Sequence, residues 1–256
     1  MTLSATLDLA PQEAIDYWQA KISLTPADYY ALDAEMRALA FTASGVHNLR
    51  DIQAIADAIA DAITNGTTIE EFRREIGHLL TGRRWQLESV FRTNIQTAYN
   101  VGRYRRQMET ADMLPYWQYQ AVNDSRTRPT HRALSGLIFP ANHPFWQTWY
   151  PPNGYNCRCS VRALSEAEMR ARGLNVETHD PTGELIEPID PVTGHKLPAR
   201  PLIPDPGFAS NPGESAWRAD MSGIRADLRE ALLSLLAQWI AEDASGGGAQ
   251  PDGGGY

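Results

Sequence analysis

Residues 124–159 constrain this chain more than any other stretch: D-S-R-T-R-P-T-H-R-A-L-S-G-L-I-F-P-A-N-H-P-F-W-Q-T-W-Y-P-P-N-G-Y-N-C-R-C. Proline removes a backbone donor and fixes φ, while glycine and asparagine accept turn conformations. A segment so rich in them cannot be one regular helix. It must be a shaped unit of loops and turns, held by packing or by a metal. Both cysteines of the chain, Cys157 and Cys159, close it, and His131, His143, Trp146 and Trp149 precede them.

The cysteine spacing is wrong for a C-x-x-C redox motif, and a disulfide across one intervening residue would be strained. As thiolates the two can share a zinc ion, which in structural sites takes four nitrogen or sulfur donors. His131 is the natural third ligand and His143 a fourth, with Asp124 as an oxygen substitute. Three other readings compete. A Cys–His nucleophile would need Asp124 to orient His131. A metal-dependent hydrolase, nuclease above all, would use Asp124, His131 and Arg128, or Arg126 in its place, on a phosphate. The plain structural reading makes the cysteines small buried residues, Asp124 a turn former, and Arg126 and Arg128 partners of carboxylates. Asn153-Gly154 is then a turn, and Trp146 part of an aromatic wedge over a sheet.

Upstream the pattern is helical. A short helix is expected over residues 11–21, with Ile15, Trp18 and Ile22 on its apolar face. Thr25-Pro26-Ala27-Asp28 reads as N-cap, proline at N1 and acidic first turn of a second helix reaching about residue 40. Ile52, Ile55, Ile59 and Ile63 form a stripe in a third helix ended by Asn65-Gly66, and Thr68–Glu71 opens a fourth that Thr81-Gly82 stops. Residues 83–113 suggest a long helix with Trp85, Val90, Phe91, Ile95, Ala98, Tyr99 and Val101 inward. Arg92, Arg103, Arg105 and Arg106 give it a basic surface suited to DNA or an acidic partner, unless nearby carboxylates pair them.

After Pro115, residues 116–122 alternate as a half-buried strand does, and 137–139 and 159–163 are further short strand candidates. Ser165 caps a short helix ended by Gly173. Residues 178–212 are studded with proline and glycine, and their D-P-x-T-G turns suggest a hairpin in an arm lying on a partner or on its own core. The reading is an α+β protein: a helical region over 1–82; a core over 83–177 holding the long basic helix and a small antiparallel sheet with its elaborated loop; an extended Pro-rich arm over 178–212; a C-terminal helix over 213–244; and a flexible Gly-rich tail over 245–256.

A net charge of −8 argues against a surface that grips nucleic acid throughout. No apolar run approaches the roughly 18 residues that span a bilayer, and the N-terminus has no basic-then-apolar start. Two cysteines make no disulfide framework, which suits synthesis in a reducing cytoplasm.

Taken in order, several pieces resemble the Mu F-like minor head proteins of tailed bacteriophages, the head-morphogenesis family. They are Asn100-Val101-Gly102-Arg103, Asp124-x-x-Thr127-Arg128-Pro129-x-His131, Leu134-x-Gly136, Pro144-Phe145-Trp146 and P-P-N-G-Y-N-C-R-C over 151–159. Pro204-Asp205-Pro206-Gly207-Phe208 and Asn211-Pro212-Gly213 extend the likeness. The resemblance implies a virion component in few copies, made in the host bacterial cytoplasm and needed for head assembly. It implies the portal protein or the major capsid protein as partner, a role near the portal in DNA packaging or delivery, no membrane and no enzyme. Many relatives carry C-x-x-C where this chain has Arg128-Pro129-Thr130-His131. One ligand-like residue is therefore kept, as His131, and one is lost.

Overall fold

The computed structural model describes residues 12–32, 37, 40–80, 84–190, 192–216 and 230. Residues 1–217 form one compact unit and 218–256 a second, so the C-terminal helix and the tail expected from sequence lie almost wholly outside the described residues. Among the described residues no helix is long and apolar enough to cross a membrane.

The helical region runs α1 (Gln12–Gln19), β1 (Ile22–Ser23), α2 (Pro26–Ala31), β2 (Ala40–Phe41), α3 (Leu49–Asn65) and α4 (Ile69–Ile76). Its boundaries follow local chemistry. The Thr25 side chain accepts from the backbone of Asp28, with Pro26 opening α2. Asn48 caps α3, and Gly66 ends it in the left-handed conformation at φ 72°. Thr68 and Glu71 form a reciprocal capping box on α4. The expected isoleucine stripe of α3 is buried throughout and centres a core with Tyr17, Trp18, Phe41 and Phe72. Two expectations fail here. The second helix stops at Ala31, with Leu32 extended and residues 40–41 in a strand, and the fourth stops at Ile76 rather than at Thr81. The parallel pairing of β1 with β2 gave no sequence signal, because two residues are too few to show alternation.

The long helix α5 (Arg84–Glu109) joins two cores. Leu87, Ala98 and Val101 pack with the helical region, whereas Tyr104 and Met108 pack with the aromatic core beyond it. Gly102 lets α1 approach closely, since a Cβ there would lie 3.0 Å from the Ala14 backbone nitrogen. Trp85, expected inward, is 62% exposed: the helix has barely begun there, and the core contacts start at Leu87.

The second half holds β3 (Tyr116–Gln120), α6 (Pro129–Ala133), β4 (Ile138–Pro140), α7 (Phe145–Trp149), β5 (Ser160–Leu164) and α8 (Glu166–Arg172). The antiparallel sheet has the order β4-β3-β5, with Trp117 opposite Phe139 and Ala163. Alternation along β3 buries Trp117 and Tyr119. The segment between β3 and β5 is loop and turn as expected, but it contains the single-turn helices α6 and α7. The arm adds β6 (Leu185–Ile186) and β7 (Arg200–Pro201), which form an antiparallel hairpin. It lies on its own core: Leu202 is buried among the aromatics, and Trp149 Nε1 donates to Thr182 Oγ1 at 2.9 Å.

Candidate metal centre

Three of the expected ligands meet. Pro129 starts α6 and places His131 inward on its single turn, while Cys157 and Cys159 enter from the approach to β5. The Cys157 and Cys159 sulfurs lie 3.7 and 3.4 Å from His131 Nδ1. All three residues are at most 3% exposed. His131 Nε2 is buried without a hydrogen-bond partner, an omission that costs about 1–3 kcal/mol for a neutral group. Hydrogen bonding between the two cysteines pushes Cys157 below the ordinary thiol range and Cys159 above it.

His143, the expected fourth ligand, is elsewhere. Its Nδ1 accepts from the Phe145 backbone at 3.1 Å, and its ring stacks on Phe139 at 4.7 Å, so it shapes the entry to α7. The local Pro-Phe-Trp turn uses the imidazole before the cysteines can.

The other singled-out residues hold the loop in place. Asp124 takes a two-pronged contact from Arg158 at 2.7 and 2.6 Å, and also accepts from the Arg126 backbone and the Thr127 hydroxyl. Hydrogen bonds from Arg158, ahead of the other causes, hold its carboxyl far below the usual range. Arg128 donates to the Tyr155 carbonyl at 2.8 Å and pairs with Asp205 at 3.0 Å. Gly154 sits under that pair, where a Cβ would collide with the Asp205 carboxylate. Asn153 is fully buried, accepts from the Tyr119 hydroxyl at 2.8 Å and, through its carbonyl, from the Asp205 backbone. Trp146 Nε1 donates to the Pro140 carbonyl at 3.0 Å.

Each residue of the hydrolase reading has another contact. Asp124 is turned to Arg158, Arg128 to Asp205 and His131 to the sulfurs. His131 also lacks a group on Nε2 to orient it, as a Cys–His nucleophile would require. Of the basic helix face, Arg106 is engaged by Glu13 at 2.8 and 2.6 Å and Arg103 donates to Asn100 within the helix. Arg105 is half-buried, and Arg92 is exposed.

Thr93, Gln96 and Gln107, absent from the sequence-based expectations, complete the site together with Asn100, which the sequence marked only within the family resemblance. Thr93, Gln96, Asn100 and Gln107 lie on the face of α5 toward the loop. Thr93 Oγ1 accepts from the Asn156 backbone, Gln96 and Asn100 donate to the Cys159 carbonyl, and Gln107 donates to that of Val161. Gln107 also accepts from the Tyr150 hydroxyl at 2.8 Å. Their spacing of three, four and seven residues was the available signal, a polar stripe at helical period.

Fold and site together define an α+β structural domain: a sheet and an aromatic loop, clamped to a long helix, enclosing a buried two-cysteine, one-histidine donor set. Residues 53–162 match the family described as Phage Mu protein F like protein. It is 34% identical over 280 residues to the putative capsid assembly protein F of Escherichia phage Mu, covering 90% of this chain and 63% of that protein. It is 38% identical over 191 residues to the Mu-like prophage FluMu F protein of Haemophilus influenzae, covering 66% of this chain and 46% of that one. An uncharacterized protein of Methanocaldococcus jannaschii is 32% identical over 122 residues, 44% of this chain and 18% of that protein. The chain thus spans less than two thirds of the length of these relatives. No solved structure matches it.

Proposed function

We propose that this chain is a structural component of a tailed-phage head and acts in head assembly by docking on the portal protein. The observation that carries the reading is the likeness to the Mu capsid assembly protein over 90% of this chain. The internal pairing of Asp124 with Arg158 and of Arg128 with Asp205 supports a structural role, since polar side chains spent on such pairs are not poised for a substrate. The arm is the docking element: Leu185, Ile189 and Ile203 are each at least 50% exposed, apolar area that a partner would bury. A contact with packaged DNA would fall to the exposed Arg92, because Arg106 is engaged by Glu13 and Arg103 by Asn100.

The test is capture of the purified chain on the portal protein, and in parallel on the major capsid protein, from the same genome. Portal capture is expected, and Leu185→Asp with Ile189→Asp should abolish it while leaving the circular dichroism spectrum unchanged. Capture by neither protein overturns the reading, and capture by the capsid protein alone moves the docking site away from the portal.

A further inference from the structure

We propose that Cys157, Cys159 and His131 hold one zinc-class cation, with a water molecule as the fourth ligand, and that this ion clasps α6 to the start of β5. The inference does not depend on the head-assembly reading.

The three donor atoms lie within 4.8 Å of one another. Bonds of about 2.3 Å to sulfur and 2.0–2.1 Å to nitrogen place the nitrogen–sulfur edges of a tetrahedral zinc site at about 3.5 Å. The two observed separations, 3.4 and 3.7 Å, bracket that value. Thiolate and imidazole select zinc over calcium or magnesium, which require oxygen. The nearby carboxylate, Asp124, is committed to Arg158. Two thiolates balance a divalent ion, so the site is neutral when loaded, which suits its burial and the guanidinium groups of Arg126, Arg128 and Arg158 around it.

No fourth protein donor belongs to the cluster among the described residues. Instead a cavity of about 10 Å³, lined by all three ligands with Arg126, Thr127 and Asn156, adjoins it. That is room for one water. Loading releases the thiol protons to solvent. Because His131 and Cys157 are 26 residues apart, the ion would cross-link the loop end to end.

The experiment uses the full chain, purified reduced and without chelator, with bound metal quantified by mass spectrometry. Stoichiometric zinc is expected. Cys157→Ser or His131→Ala should lower zinc affinity, read by competition with a chelator, by more than about tenfold, the lower limit seen for changes merely behind a ligand. His143→Ala should leave it unchanged. Because the ligand variants can fail to fold, the wild-type chain is also stripped and titrated with cobalt(II). A thiolate-to-cobalt charge-transfer band with the visible bands of four-coordinate cobalt is expected, and added azide should shift the visible bands by displacing the water. Absence of the charge-transfer band overturns the site. Visible bands indifferent to azide overturn the water ligand.

Discussion

Around α3 the central buried side chains are isoleucines and alanines recurring at helical spacing, with Tyr17, Trp18, Phe41 and Phe72 packed on them. Around β3 they are tryptophans, tyrosines and phenylalanines drawn from α5, the sheet, α7 and the loop before β5. The first core satisfies most of its backbone within its own helices and the short β1–β2 pair, so most of its side chains need only be apolar and correctly spaced. The second is crossed by irregular backbone whose carbonyls and amides would be orphaned without α5. Gln96, Asn100 and Gln107 donate to that backbone and Thr93 accepts from it. A periodic core tolerates conservative exchange, whereas a stitched one depends on individual groups.

The sharpest way to break this contrast is Trp117→Ala. The indole is fully buried in the middle strand, with ring centroids 5.7–5.8 Å from those of Tyr104, Trp146 and Tyr150. Its removal should cost about 3–5 kcal/mol in urea unfolding. Ile59→Val, equally buried but in the aliphatic core, should cost only about 0.5–1.5 kcal/mol. Equal losses would mean the two cores are not different in kind.

What the sequence disclosed divides along the same line. Caps and stripes are local, so Thr25, Thr68, Ser165 and the isoleucines of α3 mark their elements directly. The three sheet strands were also legible, because Tyr116 to Gln120 alternates and its partners are short apolar runs. Residue types at the cysteine loop named His131, Cys157 and Cys159. They could not exclude His143, whose use as the acceptor for Phe145 depends on a turn two residues long. The buried polar stripe of α5 was hidden for a physical reason. A polar residue at helical period ordinarily faces water, and only the arrival of loop backbone from some 60 residues away makes Asn100 a core residue.

Gln107→Ala probes that stripe. The Val161 carbonyl and the Tyr150 hydroxyl would both lose their partner in a buried setting, at a cost of about 1–3 kcal/mol for an unsatisfied group. Gln53 also bonds through its amide, to Asp57 one turn on, but in solvent, and Gln53→Ala should stay within about 0.5 kcal/mol of wild type. Chemical denaturation of the two variants side by side measures the difference, and similar costs would deny the stitched core its dependence on polar groups. Smaller still is Thr68→Ala. It removes the capping box of α4, and a loss of about 1 kcal/mol is expected. Amide exchange should place the opening in the first turn of α4, with no change at residues 156–161.

The smallest effect is expected from Asp124→Asn, and it appears as pH dependence. Hydrogen bonds from Arg158 depress the folded-state pKa of Asp124, so in the unfolded chain the carboxylate takes up its proton at higher pH. Its stabilisation is therefore fully present above the unfolded value of about 3.9 and is lost as pH falls from there toward the folded value. Asp124→Asn should be less stable than wild type at neutral pH by an amount independent of pH above about 5. The difference should shrink progressively below about pH 4, since both chains then carry an uncharged side chain at 124. Because the Asp124–Arg158 contact is partly open to solvent, added salt should narrow the gap as well. A gap that persists unchanged into acid would assign the role of Asp124 to its turn-forming contacts with Arg126 and Thr127, which an asparagine oxygen can also accept. The loop would then be fastened to the cysteine segment by shape and not by charge.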